Sequence, residues 1–398
     1  MPDASTGKLE SEHLLPLEAY TSQAWFDREM AELFARSWLF AALTTDLPEP
    51  GDYVAVQAGS DPIVVVRQKD GSLRAFHNLC RHRGVVILEG RGNASSGISC
   101  FYHRWHYNVD GSLRGVPQAE QFPQVVQNKA SYGLRPASVG EYNGLVFVNA
   151  QAEPQESLSD WLDKVPDRWG PWRPTELLEL PGSEIEMEAN WKLFLENHID
   201  GYHLWHLHSK TVVGYDHAQQ DWTACGRHWM FYEPELVKGE MPERRLMKLP
   251  VIPGIDASRF GSSVFMLFPN VGGVGGATFF SFFVVHPIGP NRTRVSFRTF
   301  IKPLVDQDFV DDPELAEWLE NSGSRPLFGS SSPGGDSFSE KLELAGLAGD
   351  FVAEDKLAVE SIQRAMSSQQ FSVGPLAKDF EAAIEFYHVS ILNFIKPI

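Results

Sequence analysis

Two short stretches of this chain, NLCRHRG and SCFYHRW, each pair one cysteine with one histidine: Cys80 and His82 as C-x-H, then Cys100 and His103 as C-x-x-H, seventeen residues apart. A chain that gathers these four side chains on one metal group must fold them as two adjacent loops on a rigid support. Two thiolates and two neutral imidazoles suit a two-iron, two-sulfur cluster in which the thiolates hold one iron and the imidazoles the other. Exchanging thiolate for imidazole raises the reduction potential, so the motif reads as an electron carrier. A zinc site also uses two Cys and two His, but ordinarily as a Cys pair followed by a His pair. Here the two ligand types are interleaved, which favours the dinuclear cluster.

The surroundings agree with a β support. From about residue 50 to 150 the chain runs in short β-type segments such as YVAVQ, PIVVVRQ and GLVFVNA, with turn signals KDGS and VDGS between several of them. Residues 1 to about 40 instead carry apolar positions at helical spacing, among them Trp25, Phe26, Met30, Leu33 and Phe34. PDRWGPWRP, residues 166–174, reads as a connector. Beyond it EIEMEANW, VFMLFPN and FFSFFVVHPI read as strands, and FVAEDKLAVESIQRAM and DFEAAIEFYHVSILNFI as helices. The Ser-, Gly- and Pro-rich residues 321–337 form the clearest loop, and there is no internal repeat.

The length of 398 residues predicts two domains. The chain holds no apolar run long enough to span a bilayer and no basic start followed by an apolar stretch, so a soluble, cytoplasmic protein without a membrane partner is expected. Of three cysteines, the proposed cluster takes two; Cys225 is left as a packing residue, and no disulfide can form. A net charge of -18 argues against nucleic acid as a partner. The glycines in VGGVGGA, residues 271–277, lack the context of a dinucleotide fingerprint and suggest a loop or bulge. Electrons therefore have to come from another protein.

A second metal site is suggested by ENHIDGYHLWHLH, which holds His198, His203, His206 and His208 beside Glu196 and Asp200. Two histidines and one carboxylate can bind Fe(II) and leave positions open for O2 and substrate. Helical phase does not choose among the histidines. His203 and His206 share a face, whereas His203 and His208 meet only if the helix ends or distorts between them.

Taken together, CRHRG, CFYHRW, NWK, ENHIDGYH and His208 resemble the catalytic α subunit of the Rieske non-haem iron oxygenases, from the first helix to the last. The resemblance implies an α+β chain: an N-terminal helical segment (1–40) packing on the catalytic domain, an all-β Rieske [2Fe-2S] domain (41–160), and a larger catalytic domain (161–398) with an antiparallel sheet surrounded by helices. It implies Cys80, His82, Cys100 and His103 as cluster ligands, and His203 and His208 as ligands of a mononuclear Fe(II). The third ligand falls in AEDKLAVESIQ at Asp355, with Glu354, Asp350 and Glu360 as rivals. Asp200 would bridge an iron histidine to a cluster histidine of a neighbouring subunit. One position departs from the family, which commonly has Gly after the second cluster histidine where this chain has Arg104.

The resemblance further implies a reductase or ferredoxin drawing on NAD(P)H, a homotrimer with or without a small β subunit, and oxygen insertion into a small organic substrate. Hydroxylation or dihydroxylation of an aromatic compound is the leading expectation, and the Phe-rich strands offer rings for such a pocket. The first alternative is oxidation or demethylation of a quaternary ammonium compound, caged by aromatic residues such as Tyr202 and Trp205. The second, of another class, is a Rieske electron-transfer protein without oxygenase activity.

Overall fold

The computed structural model describes residues 12–212, 216–219, 221–233, 249–255, 262–311, 314–316 and 335–395. Two compact units divide the chain: one spans Asp27–Trp161, and the other takes in the chain up to Phe26 and again from Leu162 onward.

The smaller unit is built on β-strands, as the alternating sequence requires. Seven of them form an antiparallel sheet in the order β1 (Leu39–Leu43), β10 (Leu145–Asn149), β9 (Pro136–Tyr142), β4 (Leu73–His77), β3 (Asp61–Arg67), β2 (Asp52–Ala58) and β5 (Arg91–Asn93). A second sheet joins β6 (Ile98–Ser99), β7 (His106–Tyr107) and β8 (Leu113–Gly115). The two predicted turns share one chemistry: Asp70 and Asp110 each accept the N–H of the serine two residues on, and Gly71 and Gly111 take positive φ. Between the sheets Val64, Val66, Phe76, Ile98 and Leu113 form an apolar core that also encloses Cys80 and Cys100.

The larger unit carries the predicted antiparallel sheet, in the order β11 (Leu178–Met187), β17 (Arg292–Ile301), β16 (Phe279–Gly289), β15 (Val271–Gly275), β14 (Ser262–Leu267), β13 (His228–Glu233) and β12 (Asp221–Cys225). Its longer helices are α1 (Trp191–Ile199), α2 (Phe338–Ala348), α3 (Phe351–Ala365) and α4 (Ala382–Leu392). Strand alternation sorts the phenylalanines of β16 and β17. Phe280, Phe282 and Phe300 stack with Phe265 in one aromatic layer, while Phe283 and Phe297 meet Phe194 of α1 on the other face.

Two expectations are corrected here. The glycines at 272, 273 and 275 belong to strand β15, not to a loop or bulge, because an added Cβ at 272 would fall 2.3 Å from Phe283 and one at 275 would fall 2.3 Å from Trp172. Only glycine lets those rings lie on the strand. The stretch around PDRWGPWRP is also more than a connector, since Trp169 and Trp172 are buried against Phe280 and the Trp172 indole N–H donates to the Gly276 carbonyl. Of the expected loop at 321–337, residues 321–334 lie outside the described residues. Among those described, no helix is long and apolar enough to cross a membrane.

Candidate metal centres

The two loops with the Cys and His residues have the same backbone design. In each, the cysteine N–H donates to the carbonyl five residues on, Val85 or Trp105, and the residue four positions on donates back to the cysteine carbonyl. That fourth residue turns through positive φ, at +75° for Gly84 and +56° for Arg104. Arg104 thus occupies a left-handed position that favours glycine, with its own side chain exposed.

The paired turns bring His82 Nδ1 within 3.1 Å of His103 Nδ1, and Trp105 stacks on the His82 ring with centroids 5.1 Å apart. Both cysteines are buried as free thiols. The Tyr107 hydroxyl lies 3.3 Å from Cys80 Sγ and accepts the Arg81 N–H. Burial pushes the Cys80 thiol up, and burial together with His103 and Arg83 pulls the His82 imidazole down. A neutral imidazole is the form that ligates, so the histidine half of the site is ready for metal.

In the larger unit, Asn190 caps α1 by accepting the Lys192 N–H at 3.1 Å. The helix stops at Ile199, Asp200 is extended, and a 3-10 turn begins at His203. That break answers the phase problem. His203 and His208 point at the same carboxylate: Asp355 Oδ1 lies 2.9 Å from His208 Nε2 and 3.7 Å from His203 Nε2. Their donor atoms all fall within 4.8 Å of one another, and Asp355 Oδ1 has no well-aligned hydrogen-bond donor although it is buried. Two nitrogens and an orphaned carboxylate oxygen converging on one point fit a metal of this ligand preference.

Each imidazole also has a carboxylate behind it. Asp200 Oδ2 lies 3.2 Å from His203 Nδ1, and its other oxygen accepts the Tyr202 N–H. Glu354 accepts the His208 Nδ1–H at 2.7 Å and the Thr211 hydroxyl at 2.5 Å, all three side chains being buried. Burial alone would depress the His208 pKa, but Asp355 and Glu354 outweigh it and push it up to about 9. A metal entering the site displaces that proton.

The remaining candidates have other partners. Glu354 sits behind His208; Asp350 caps α3 by accepting the Ala353 N–H; and Glu360 accepts the Glu188 N–H. Glu196 is buried in a network with Tyr20 and His388, 2.5 and 2.9 Å away, and His13 lies 3.2 Å from the same hydroxyl. His388 Nδ1 accepts the Leu14 N–H, so this second cluster is closed by its own hydrogen bonds. His206 is exposed beside Tyr202, and His198 lines a cleft that reaches Asp355. Phe194, Phe283, Phe297 and Phe351 are four of its eleven lining residues. Tyr202 is half exposed and Trp205 packs on Phe380, and neither lines that cleft.

A Rieske [2Fe-2S] domain model matches residues 37–129, and the model of the ring hydroxylating alpha subunit (catalytic domain) matches residues 174–396. The chain belongs to the Rieske oxygenase α subunits. Among relatives of this oxygenase is the glycine betaine monooxygenase oxygenase subunit of Chromohalobacter salexigens, 27% identical over 94% of this chain and 84% of its own. Another is the large oxygenase component of the 2,4-dinitrotoluene dioxygenase system of a Burkholderia species, 34% identical over 52% of this chain and 46% of its own. Among solved structures, a quaternary ammonium Rieske monooxygenase superposes with a TM-score of 0.75 at 22% identity, covering 99% of this chain and 98% of that one. Naphthalene 1,2-dioxygenase from a Rhodococcus species does so with 0.69 at 20%, covering 96% and 95%.

As a Rieske oxygenase the chain uses a [2Fe-2S] cluster and a mononuclear iron, with electrons from a reductase. Sequence reasoning had missed the clamp on His208. The sequence offers Glu354 only as a rival ligand and gives no sign of Thr211. The adjacency of two acids in AEDK was the one signal, since neighbours on a helix cannot face the same way.

Proposed function

We propose that this chain hydroxylates an uncharged, ring-sized aromatic substrate at an iron held by His203, His208 and Asp355. The observation that supports it is the cleft at Asp355: four phenylalanine rings wall it, and among the described residues it has no Lys or Arg side chain to pair with a substrate carboxylate. Burying such a carboxylate unpaired is costly. When bound, the mononuclear iron supplies O2 activation and the cluster supplies electrons. The arene C–H, O2, two electrons and two protons then balance as hydroxyarene and water; dihydroxylation keeps both oxygen atoms in the product.

The chain's own side chains hold and orient. Cys80, His82, Cys100 and His103 grip the cluster, and Asp200 and Glu354 fix the two iron-binding imidazoles from behind. Asp200 also carries the electron path to a cluster histidine of a neighbouring copy, in a homotrimer that a NAD(P)H-dependent reductase supplies. Residues 41–160 serve as the electron-carrying domain and 161–398 as the catalytic one.

A second reading, oxidation of a quaternary ammonium compound, is favoured by the Chromohalobacter relative, which matches nearly the whole chain. The same phenylalanine faces can receive a methylated ammonium head. Substrate-stimulated O2 consumption with purified chain and a generic reductase decides between them: arenes should stimulate it, and response to glycine betaine or carnitine alone would refute the aromatic reading. His203→Ala and Asp355→Ala should abolish product formation and leave the visible cluster spectrum intact. Turnover in either variant would remove that residue from the iron site.

A further inference from the structure

The cleft at Asp355 is apolar, yet one wall offers a hydrogen-bond acceptor that the iron site does not use. His198 lines the cleft from α1, its ring edge-on to Phe283 at 4.8 Å. Its Nε2 lies 3.0 Å from the Phe265 carbonyl oxygen. A carbonyl oxygen only accepts, so Nε2 carries the hydrogen and donates it. In the neutral ring Nδ1 is then an acceptor, and it has no partner among the described residues.

Neutrality is enforced by burial, which depresses the imidazole to about 4 even with Asp355 nearby. Two other polar side chains of the cleft wall have neighbours of their own. The Asn197 amide lies close enough to Asp355 to favour its carboxylate, and the Ser281 hydroxyl donates to the Arg298 carbonyl beside Thr299. With Asp355 given to the iron site, His198 Nδ1 remains as an acceptor without a partner in the lining of this aromatic cleft. An acceptor so placed rewards a ligand with a matching O–H or N–H, and it repels a carboxylate.

We propose that His198 is a specificity-determining residue whose Nδ1 accepts a hydrogen bond from an O–H or N–H group borne on the ring of the bound substrate. The substrate class is then a phenol, an arylamine or an N–H heteroarene, in preference to an unsubstituted arene or an aromatic acid. This rests on the aromatic reading above and narrows it.

The test compares phenol with toluene, which match in shape and differ in the donor, on the iron-loaded holoenzyme. Dissociation constants come from calorimetry, and KM and kcat from product formation. A neutral hydrogen bond of this kind corresponds to roughly three- to tenfold in affinity. His198→Phe should weaken phenol by about that factor relative to toluene, mainly through KM, and His198→Asn, which keeps an acceptor near the Nδ1 position, should restore most of it. His198→Gln keeps a donor for the Phe265 carbonyl and should not. Equal shifts for phenol and toluene, or restoration by Gln rather than Asn, would overturn the assignment while the aromatic reading stands. If the wild-type enzyme binds neither arene and turns over only trimethylammonium compounds, both readings fail.

Discussion

Glu354 and Asp355 are neighbours in sequence, and the α-helix sets them about 100° apart. One therefore meets His208 at Nδ1 and the other at Nε2. A carboxylate behind a ligating imidazole fixes its tautomer and aim, and losing it typically costs about 10- to 100-fold in metal affinity or activity. Glu354→Gln should accordingly weaken iron retention by that order in a chelator competition, with cluster absorbance unchanged; equal retention would show that Thr211 and packing suffice. Arg104 poses a different residue-scale question. A non-glycine residue at φ +56° is strained by about 1–2 kcal/mol, most severely if β-branched. Arg104→Val should lower the thermal midpoint and impair cluster loading, whereas Arg104→Gly should do neither.

At the scale of elements, the early stop of α1 and the glycines of β15 shape the iron site. Had α1 continued through His203, the five-residue spacing to His208 would have put the two rings on different faces. Strand β15 is bare so that Phe283 can lie across it, and Gly272→Ala should overpack that contact by about 1–3 kcal/mol in chemical denaturation. On β16, His286 lies 3.0 Å from the Ser296 hydroxyl, and burial, with Arg294 adding, depresses it to about 4 from 6.5. The unfolded chain binds this proton from pH 6.5 downward and the folded chain does not, so the stability it confers is complete above 6.5 and is lost as pH falls toward 4. Between pH 7 and 5 the loss is about 2 kcal/mol, and His286→Asn should flatten the pH dependence of the melting midpoint over that window by a matching amount.

For the whole molecule, the larger unit begins before the β unit in sequence and resumes after it. One chain thereby carries an electron-accepting group and a separate catalytic iron. Metal analysis of the purified protein should return about three irons per chain, two from the cluster and one from the mononuclear site. About two would reduce the protein to an electron carrier, and zinc in their place would remove the cluster.

Taken alone, the sequence determined the parts whose information is local. Each cluster loop holds its cysteine and histidine within four residues, and the period-2 and helical spacings mark strands and helices whatever they pack against. The partner of His208 is not local: Asp355 lies 147 residues further on, and only the family resemblance sets it ahead of Glu354, Asp350 and Glu360. Only the packing of α3 against α1 decided that Asp355 faces both imidazoles, that Glu354 stands behind one of them, and that Glu360 and Asp350 are occupied by backbone N–H groups. The phenylalanines show the same division. Alternation says that neighbours in FFSFF point opposite ways, but which face becomes a cleft wall depends on what covers it, and that is a property of the folded chain.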